Sequence, residues 1–446
     1  MEKPDILFLA DITHHTQAVR DHIQAITSDA RINWHLVNPL TCKTIDKLDL
    51  SSFDAIGVHY SIKPYNHYYL SMGLKKCLAA YTGIKFLFLQ DEYQKVNQVQ
   101  EFMFKLGFHI LFTLVKQDMV QLAYPDPRLS ALKKVTVLTG YVSDAMKIMT
   151  SPPIHRRLID VSYRGRRCEY WLGSLAHEKE MIAAEFLKRV ENTNHKLKLD
   201  ISTKESDRVY GQDWLKLLMS SKAVLGTESG ASIWDFDDAI RNKTNHYLRR
   251  HKQADFHEVY ARVLQPYDGK IMYNAVSPRV FEAAATKTPM IMFPGEYSQV
   301  CQPDIHYIVL EKDFSNLADV LKKLKDFDFL QQLADNTYAD LIESDLFSQH
   351  QFSQLVGTEL LSLINSRRKT RSIDGISEQI TQTMRRYKHL NRFRCLLTEM
   401  TFVGCNFLKL LFDRKHPLSA KVKTLVEGGK RYLAYLLPRM KVENKE

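Results

Sequence analysis

Residues 277–296 read SPRVFEAAATKTPMIMFPGE and join a short helix directly to a strand. Ser277 is a favourable N-cap, and Pro278 suits the first helical position because its missing N–H would be unpaired there. The apolar residues that follow predict a helix buried on most sides, and Pro289 ends it. Residues 290–293 then predict a buried strand before a Pro-Gly turn. A helix followed at once by a buried strand is the repeating unit of a parallel α/β sheet.

One carboxylate, Glu282, lies within this mostly buried helix. A carboxylate in such a setting needs a partner, because an isolated buried charge is costly. Two partners are open at this point: Arg279 in a structural ion pair, or a bound ligand.

The same alternation of apolar strands and helices begins at the N-terminus. It predicts strands at 5–10, 33–37, 53–58, 85–89, 109–114 and 134–138, with helices at 17–26, 71–80 and 98–105. Continuous apolar strands separated by helices indicate a parallel sheet covered on both faces. This first domain is predicted to span residues 1–150.

After Ser151-Pro152-Pro153 the pattern restarts. It predicts strands at 158–163, 197–201, 223–226, 290–293 and 308–310, with helices at 179–190, 214–221, 317–324 and within 328–364. Residues 232–272 show no strong strand signal and are predicted to be helices or an insertion. We therefore expect an α/β protein with two Rossmann-like doubly wound domains facing across a cleft, the second spanning 151–365. Ligands of such sheets bind beyond the carboxyl ends of the strands.

The net charge of +11 is concentrated at the C-terminus. Residues 366–446 hold 19 Lys and Arg against 7 Asp and Glu, whereas the rest of the chain holds 43 against 44. This basic, helical tail contains an apolar run at 395–412, which predicts attachment to an anionic membrane surface. A helical subdomain packed on the body is the alternative. The neutral body argues against a nucleic-acid channel.

Cellular location is predicted from what the sequence lacks. The six cysteines show no disulfide or metal-binding spacing, and no signal peptide or run of 18 uncharged apolar residues occurs. We expect a cytoplasmic protein whose tail lies on the inner face of the cell membrane. The absence of C-x-x-C, P-loop and G-x-S-x-G motifs argues against structural zinc, P-loop chemistry and serine hydrolysis.

The opening segment resembles the E-A-M-A-x-G-x-P-[VI]-[VI] segment of GT-B glycosyltransferases of the family 4, group 1 type, which includes enzymes of bacterial surface-polysaccharide assembly. The resemblance covers residues 155–365, and it reaches residues 1–150 only through the order of strands and helices. It implies transfer of a sugar from a nucleotide-diphosphate donor, held by the second domain, to an acceptor hydroxyl of a glycan or lipid-linked acceptor. It implies no cofactor besides that donor, and no bound metal.

The resemblance also assigns residues to the donor. Glu282 would accept hydrogen bonds from the ribose hydroxyls, as a carboxylate can bind a vicinal diol with both oxygens. The family's other glutamate, eight positions upstream, is Asn274 here, and the family's glycine before Thr-Pro is Lys287. Glu228 could replace the missing carboxylate, because the insertion 232–272 would separate it from Glu282 in sequence but not in space.

Two loops complete the predicted donor site. The loop after the second domain's first strand, RGRRCEYWLGSLAHEK, supplies Arg166 and Lys179 for the diphosphate, with Arg164 and Arg167 as less favoured candidates. Glu228, Ser229 and Gly230 follow a later strand, where small residues let backbone N–H groups approach a phosphate or sugar. Arg279 is also assigned to the donor. A solvated basic loop and a tight turn are the structural alternatives.

The predicted proton acceptors follow strands of the first domain. Asp11 and His15 come after the first strand, with His14 beside them, and Glu92 comes after LFLQ together with Asp91. A histidine or carboxylate there could take the acceptor's proton. An exposed loop histidine and helix capping by Asp91 are the alternatives.

Other readings remain open from the sequence. A sugar-nucleotide epimerase or a polyol-phosphate transferase could share this architecture, and a non-enzymatic protein could use the basic tail for membrane or nucleic acid. Tyr210 is expected to be a core aromatic rather than a platform for a base. The acidic motif WDFDD at 234–238 is expected not to bind metal.

Overall fold

The computed structural model describes residues 2–14, 16–63, 65–66, 68–193, 196–366 and 375–411, with backbone alone at 403 and 405–411. The chain forms two compact units. Unit 1 comprises Met1–Phe88, Phe102–Ile110 and Gly357–Glu446, and unit 2 comprises Leu89–Glu101 and Leu111–Val356. The domain boundaries predicted at 150 and 365 stay a prediction.

The first sheet has six strands in the order β2-β1-β3-β4-β5-β6. These strands are β1 Asp5–Leu9, β2 Asn33–Val37, β3 Ala55–Val58, β4 Ile84–Phe88, β5 Ile110–Thr113 and β6 Lys133–Thr136. The helices of this part are α1 Gln17–Ile26, α2 Met72–Ala80, α3 Val96–Leu106, α4 Val120–Ala123 and α5 Asp144–Lys147. β1 pairs in parallel with β2 on one side and β3 on the other, so the chain winds in both directions from β1.

The second sheet has five strands in the order β13-β12-β9-β7-β8. They are β7 Ile159–Arg164, β8 Leu199–Ser202, β9 Ser221–Gly226, β12 Met290–Met292 and β13 Tyr307–Val309. All four neighbouring pairs are parallel, and the winding reverses between β7 and β9. Two Rossmann-like doubly wound sheets followed by C-terminal helices are therefore present, which confirms the predicted fold class.

The remaining helices have the following bounds. They are α6 Ser174–Glu191, α7 Gln212–Met219, α8 Ala239–Arg250, α9 Phe256–Val259, α10 Pro278–Ala285, α11 Leu317–Lys323, α12 Phe327–Tyr338, α13 Gln349–Asn365, α14 Ile376–Arg386 and α15 Lys388–Leu411. α10 begins as predicted, because Ser277 caps it and Pro278 opens it. It ends before the predicted Thr-Pro stop, since Lys287 already adopts a left-handed φ of +48°.

Residues 232–272 contain the predicted helices, but they are framed by a strand pair that the sequence did not indicate. β10 Ser229–Ala231 pairs antiparallel with β11 Tyr273–Ala275. Gly230 permits this pairing, because its φ is +124° and an added Cβ would lie 1.7 Å from the Tyr273 carbonyl oxygen. The helices between these strands enclose a small core of their own, formed by Ile233, Ile240, Phe256, Val259 and Leu264.

α6 begins at Ser174, five residues before its predicted start. Gly173 turns the chain with a φ of +89°. Asp268 accepts the backbone N–H of Ser174 at 3.1 Å, and Ser232 Oγ accepts that of Leu175 at 3.1 Å. Because these caps satisfy the first amides of the helix, Lys179 lies in its second turn and not in the preceding loop.

The two helices of the tail belong to unit 1, and α15 packs on it. Arg394 forms an ion pair with Asp46 at 2.7 Å, and Tyr68 donates a hydrogen bond to Glu399 at 2.9 Å. The alternative of a packed helical segment therefore holds for this part of the tail. The predicted linker at 367–374 and the tail beyond 411 lie outside the described residues. No helix in the described part of the chain is long and apolar enough to cross a membrane.

Candidate functional site

A pocket of about 190 Å³ in unit 2 opens at the carboxyl ends of β7 and β9. These are the two neighbouring strands at which the winding of the second sheet reverses, and doubly wound sheets bind ligands at this point. Residues just after β7 (Gly165 and Arg166) and after β9 (Thr227 and Ser229) line it. We call this cavity the switch-point pocket.

Four cationic side chains line the switch-point pocket: Arg166, Lys179, Arg208 and Arg279. Burial lowers the pKa of Lys179, and the charges of Arg166 and Arg279 lower it further, while Asp91 raises it. A buried lysine whose pKa is lowered by neighbouring cations is a group that a bound anion would stabilise in its charged form.

The loop after β7 carries three arginines, and the structure separates their roles. Arg164 pairs with Asp200 at 2.7 Å, and Arg167 pairs with Glu180 at 3.2 Å. Arg166 is the member of the three that lines the pocket. The favoured assignment of Arg166 and Lys179 thus coincides with the pocket, whereas Arg164 and Arg167 serve ion pairs.

Glu282 has a partner that the sequence did not indicate. The indole N–H of Trp214, on α7, donates to the Glu282 carboxylate at 2.7 Å. The guanidinium of Arg279 lies 4.6 Å from the centroid of the same indole and donates a hydrogen bond to the Arg164 carbonyl. Trp214 and Arg279 line the pocket, whereas Glu282 does not, so Glu282 lies behind the Trp214 side chain; its contact with a donor stays a prediction.

Glu228 is buried beside residue 274. Its carboxylate accepts a hydrogen bond from the Asn274 amide at 3.0 Å and from the backbone N–H groups of Glu296 and Tyr297 at 3.1 and 2.8 Å. Burial raises the pKa of this carboxyl, and the hydrogen bonds oppose the rise. Ser229 lines the pocket, whereas Glu228 and Gly230 do not. Contact of Glu228 with a donor stays a prediction.

Glu92 lies outside the pocket, inside a hydrogen-bond network of unit 2. Its carboxylate accepts from the Thr113 hydroxyl at 2.6 Å, from the Leu114 N–H at 2.9 Å and from the Tyr124 hydroxyl. Burial raises its pKa to about 7. Such a value suits a general base, but the carboxylate is occupied by internal donors, which favours a structural role.

The other two predicted proton acceptors belong to unit 1. Asp11 is buried, and its carboxylate accepts from the Thr13 hydroxyl at 2.8 Å and from the Asn38 amide at 3.0 Å. His15 lies outside the described residues. The neighbouring His14 accepts the backbone N–H of Thr16 at 3.2 Å.

Asp91 acts electrostatically on two of the pocket's cations. Its charge raises the pKa of both Lys179 and Arg166. Asp91 takes a left-handed φ of +55°, and the Tyr93 hydroxyl donates to it at 3.0 Å. Helix capping by Asp91 is wrong, because α3 begins only at Val96.

Sequence reasoning missed Arg208 and Trp214 and misjudged Tyr210. Tyr210 is 58% exposed, so its assignment to the core is wrong. The guanidinium of Arg208 lies 5.0 Å from the Tyr210 ring centroid. The available signal was the segment RVYGQDW, whose Arg and Tyr precede α7 and whose Trp lies in its first turn; α7 packs beside β9.

The acidic motif after β10 has a local structural role. Asp235 is fully buried and accepts the backbone N–H of Arg241 at 2.9 Å, at the start of α8. Among the described residues, no group of three or more His, Cys, Asp or Glu side chains is arranged to hold a metal ion.

No protein-family model matches the sequence, and no curated protein matches it. Solved structures do match, at low identity. An alpha-glucosyltransferase in complex with UDP-glucose and DNA is 12% identical over 82% of this chain and 100% of its own, with a TM-score of 0.49. Anabaena HepE in complex with UDP is 12% identical over 80% and 100%, with a TM-score of 0.46. TarM is 11% identical over 70% and 54%, with a TM-score of 0.39.

Proposed function

We propose that this protein is a glycosyltransferase that binds a nucleotide-diphosphate sugar in the switch-point pocket and transfers the sugar to an acceptor hydroxyl. The observation that carries the proposal is the convergence of Arg166, Lys179 and Arg279 at the carboxyl ends of β7 and β9. A diphosphate is the anion that suits several cations in one small pocket.

The cations would act on both binding and chemistry. Arg166 can pair with two phosphate oxygens, and Lys179 supplies a compact positive charge beside it. As the bond between sugar and diphosphate breaks, negative charge grows on the leaving phosphate, and fixed cations stabilise that charge more than they stabilise the bound donor. This preference for the transition state is the source of rate enhancement.

The part of the pocket beside Trp214 would hold the nucleoside. Glu282, oriented by the Trp214 indole, would accept hydrogen bonds from the ribose hydroxyls. We assign the acceptor's proton to Asp91 in place of Glu92, because Asp91 interacts with the pocket's cations. A glycan or lipid-linked acceptor, in polysaccharide assembly, is the class that the sequence resemblance favours.

Calorimetric titration of UDP, GDP and the matching nucleosides tests the proposal. Arg166→Met and Lys179→Met should each weaken binding of the nucleoside diphosphate by about 10- to 100-fold, because a hydrogen bond to a charged group contributes about 1.5–3 kcal/mol. Neither should change nucleoside binding. Lys216→Met is the matched control, since Lys216 pairs with Asp213 at the surface of α7. Wild-type affinity in Lys179→Met, or equal losses for diphosphate and nucleoside, would refute the assignment.

A further inference from the structure

Among the described side chains of helix α15, four large apolar ones are more than half exposed to solvent. Phe393 is 62% exposed, Leu396 61%, Leu397 54% and Met400 64%. Their spacing of three, four and seven residues places them on one face of the helix. We call this set the α15 apolar face. A contiguous apolar surface of this kind marks an interaction site.

The opposite face of α15 is fixed to unit 1. Asn391 accepts the backbone N–H of Lys43 at 2.6 Å and donates to the Thr41 carbonyl at 2.8 Å. Further along, the Phe402 ring lies 4.5 Å from the Tyr68 ring, between centroids. These contacts fix the rotation of α15 about its own axis, so the α15 apolar face points away from the rest of unit 1.

The charge beside the α15 apolar face indicates what kind of surface it binds. Exposed cations lie at the amino-terminal end of the apolar face: Arg385, Arg386, Lys388 and Arg392. They belong to a segment, 366–446, in which basic residues outnumber acidic ones by 19 to 7. An apolar helical face bordered by an excess of Lys and Arg fits the interface of an anionic bilayer, where apolar side chains enter the acyl boundary and cations meet the headgroups.

We propose that the α15 apolar face docks the protein on an anionic lipid surface, with the helix lying in the plane of the interface. The docking segment differs from the apolar run at 395–412 that the sequence indicated. Cys395 contacts the carbonyl oxygens of Leu40 and Thr41, so it faces the protein, and docking begins at Phe393. Docking in this orientation keeps unit 1 at the membrane surface.

Co-sedimentation of the full chain with lipid vesicles tests this proposal. The wild type should sediment with vesicles of equal parts phosphatidylglycerol and phosphatidylcholine, but not with phosphatidylcholine alone, and high salt should release it. Leu396→Glu/Leu397→Glu should reduce binding by at least about tenfold, because two apolar side chains are lost from the interface. Leu158→Glu/Leu346→Glu is the matched control, since both leucines are exposed in unit 2 and the charge change is the same.

The melting temperature of each variant and light scattering without lipid complete the design. The proposal is overturned if the two double variants bind vesicles equally well while both remain folded. It is also overturned if the wild type is a dimer in solution that Leu396→Glu/Leu397→Glu converts to a monomer, because a second copy would then cover the face. Equal binding to neutral and anionic vesicles would refute the role of charge.

Discussion

Replacing Glu92 by glutamine distinguishes a catalytic base from a structural carboxyl. Burial raises the pKa of Glu92 from an ordinary 4.5 to about 7. Each pKa unit corresponds to about 1.36 kcal/mol, so ionising this group costs the folded state about 3 kcal/mol relative to the unfolded chain. A glutamine of the same shape has no charge to bury, and its amide can still meet the hydroxyls of Thr113 and Tyr124.

The direction of the pH effect follows from proton binding. Between about pH 4.5 and 7 the folded state holds the Glu92 proton and the unfolded chain releases it, so the contribution of this group to stability falls as pH rises and is constant above about pH 7. The difference in unfolding free energy between Glu92→Gln and the wild type should therefore shift by about 3 kcal/mol in favour of the variant between about pH 4.5 and 8.

Denaturant unfolding of both proteins at the two pH values measures this shift, and subtracting the wild type cancels the titration of other groups. Asp213→Asn, at an exposed carboxylate of α7, is the control and should show little shift. An equal difference at both pH values would show that Glu92 does not carry a raised pKa. Loss of glycosyl transfer in a Glu92→Gln protein that shows the stability shift would restore Glu92 as the catalytic base in place of Asp91.

Two further predictions concern the pocket and its frame. Gly230→Ala should lower the melting temperature far more than Gly211→Ala: both glycines have positive φ, but a Cβ at 230 meets a strand carbonyl oxygen at 1.7 Å, whereas the space around 211 is open. Similar melting temperatures for the two variants would contradict the tight β10–β11 pairing. Affinity for a nucleoside diphosphate should fall as pH rises through the lowered pKa of Lys179, since only the protonated amine pairs with phosphate, and Lys179→Met should remove that step from a calorimetric pH series. An unchanged pH profile in the variant would assign the step to another group.

The strands and long helices could be predicted from the sequence because their signals are local. α1 has the predicted bounds, since an amphipathic helix repeats every 3.6 residues. β2 also has its predicted bounds: it is an edge strand, buried only at Val37, and its Trp34, Leu36 and Val37 are residues that favour strands. The start of α6 could not be found in this way. Its capping groups, Ser232 and Asp268, lie 57 and 94 residues from the amides they bind, and no local pattern reports them.

In the candidate site, too, residues with a local sequence signal could be predicted, and contacts between distant segments could not. Arg166 lies in a basic loop after the first strand of a doubly wound domain, and such a loop lies at the ligand-binding edge. Lys179 lines the same pocket from the second turn of α6. The bond between Trp214 and Glu282 was not predictable, since it joins two helices 68 residues apart. Asp91 and Glu92 are adjacent in sequence, so the sequence could not tell their roles apart. In the structure Asp91 interacts with cations of the pocket, whereas Glu92 accepts hydrogen bonds from hydroxyl groups.

The β10–β11 pair explains how a carboxylate can be supplied from a distant segment. Gly230 pairs with Asn274 across these strands, which brings Glu228 within hydrogen-bond distance of the Asn274 amide although 46 residues separate them. The intervening helices have a core of their own. The prediction that Glu228 replaces the carboxylate missing at position 274 needs only this pairing, and it stays a prediction. The local sequence around position 274 shows only Asn274, whereas the pairing of β10 with β11 shows that Glu228 lies next to it.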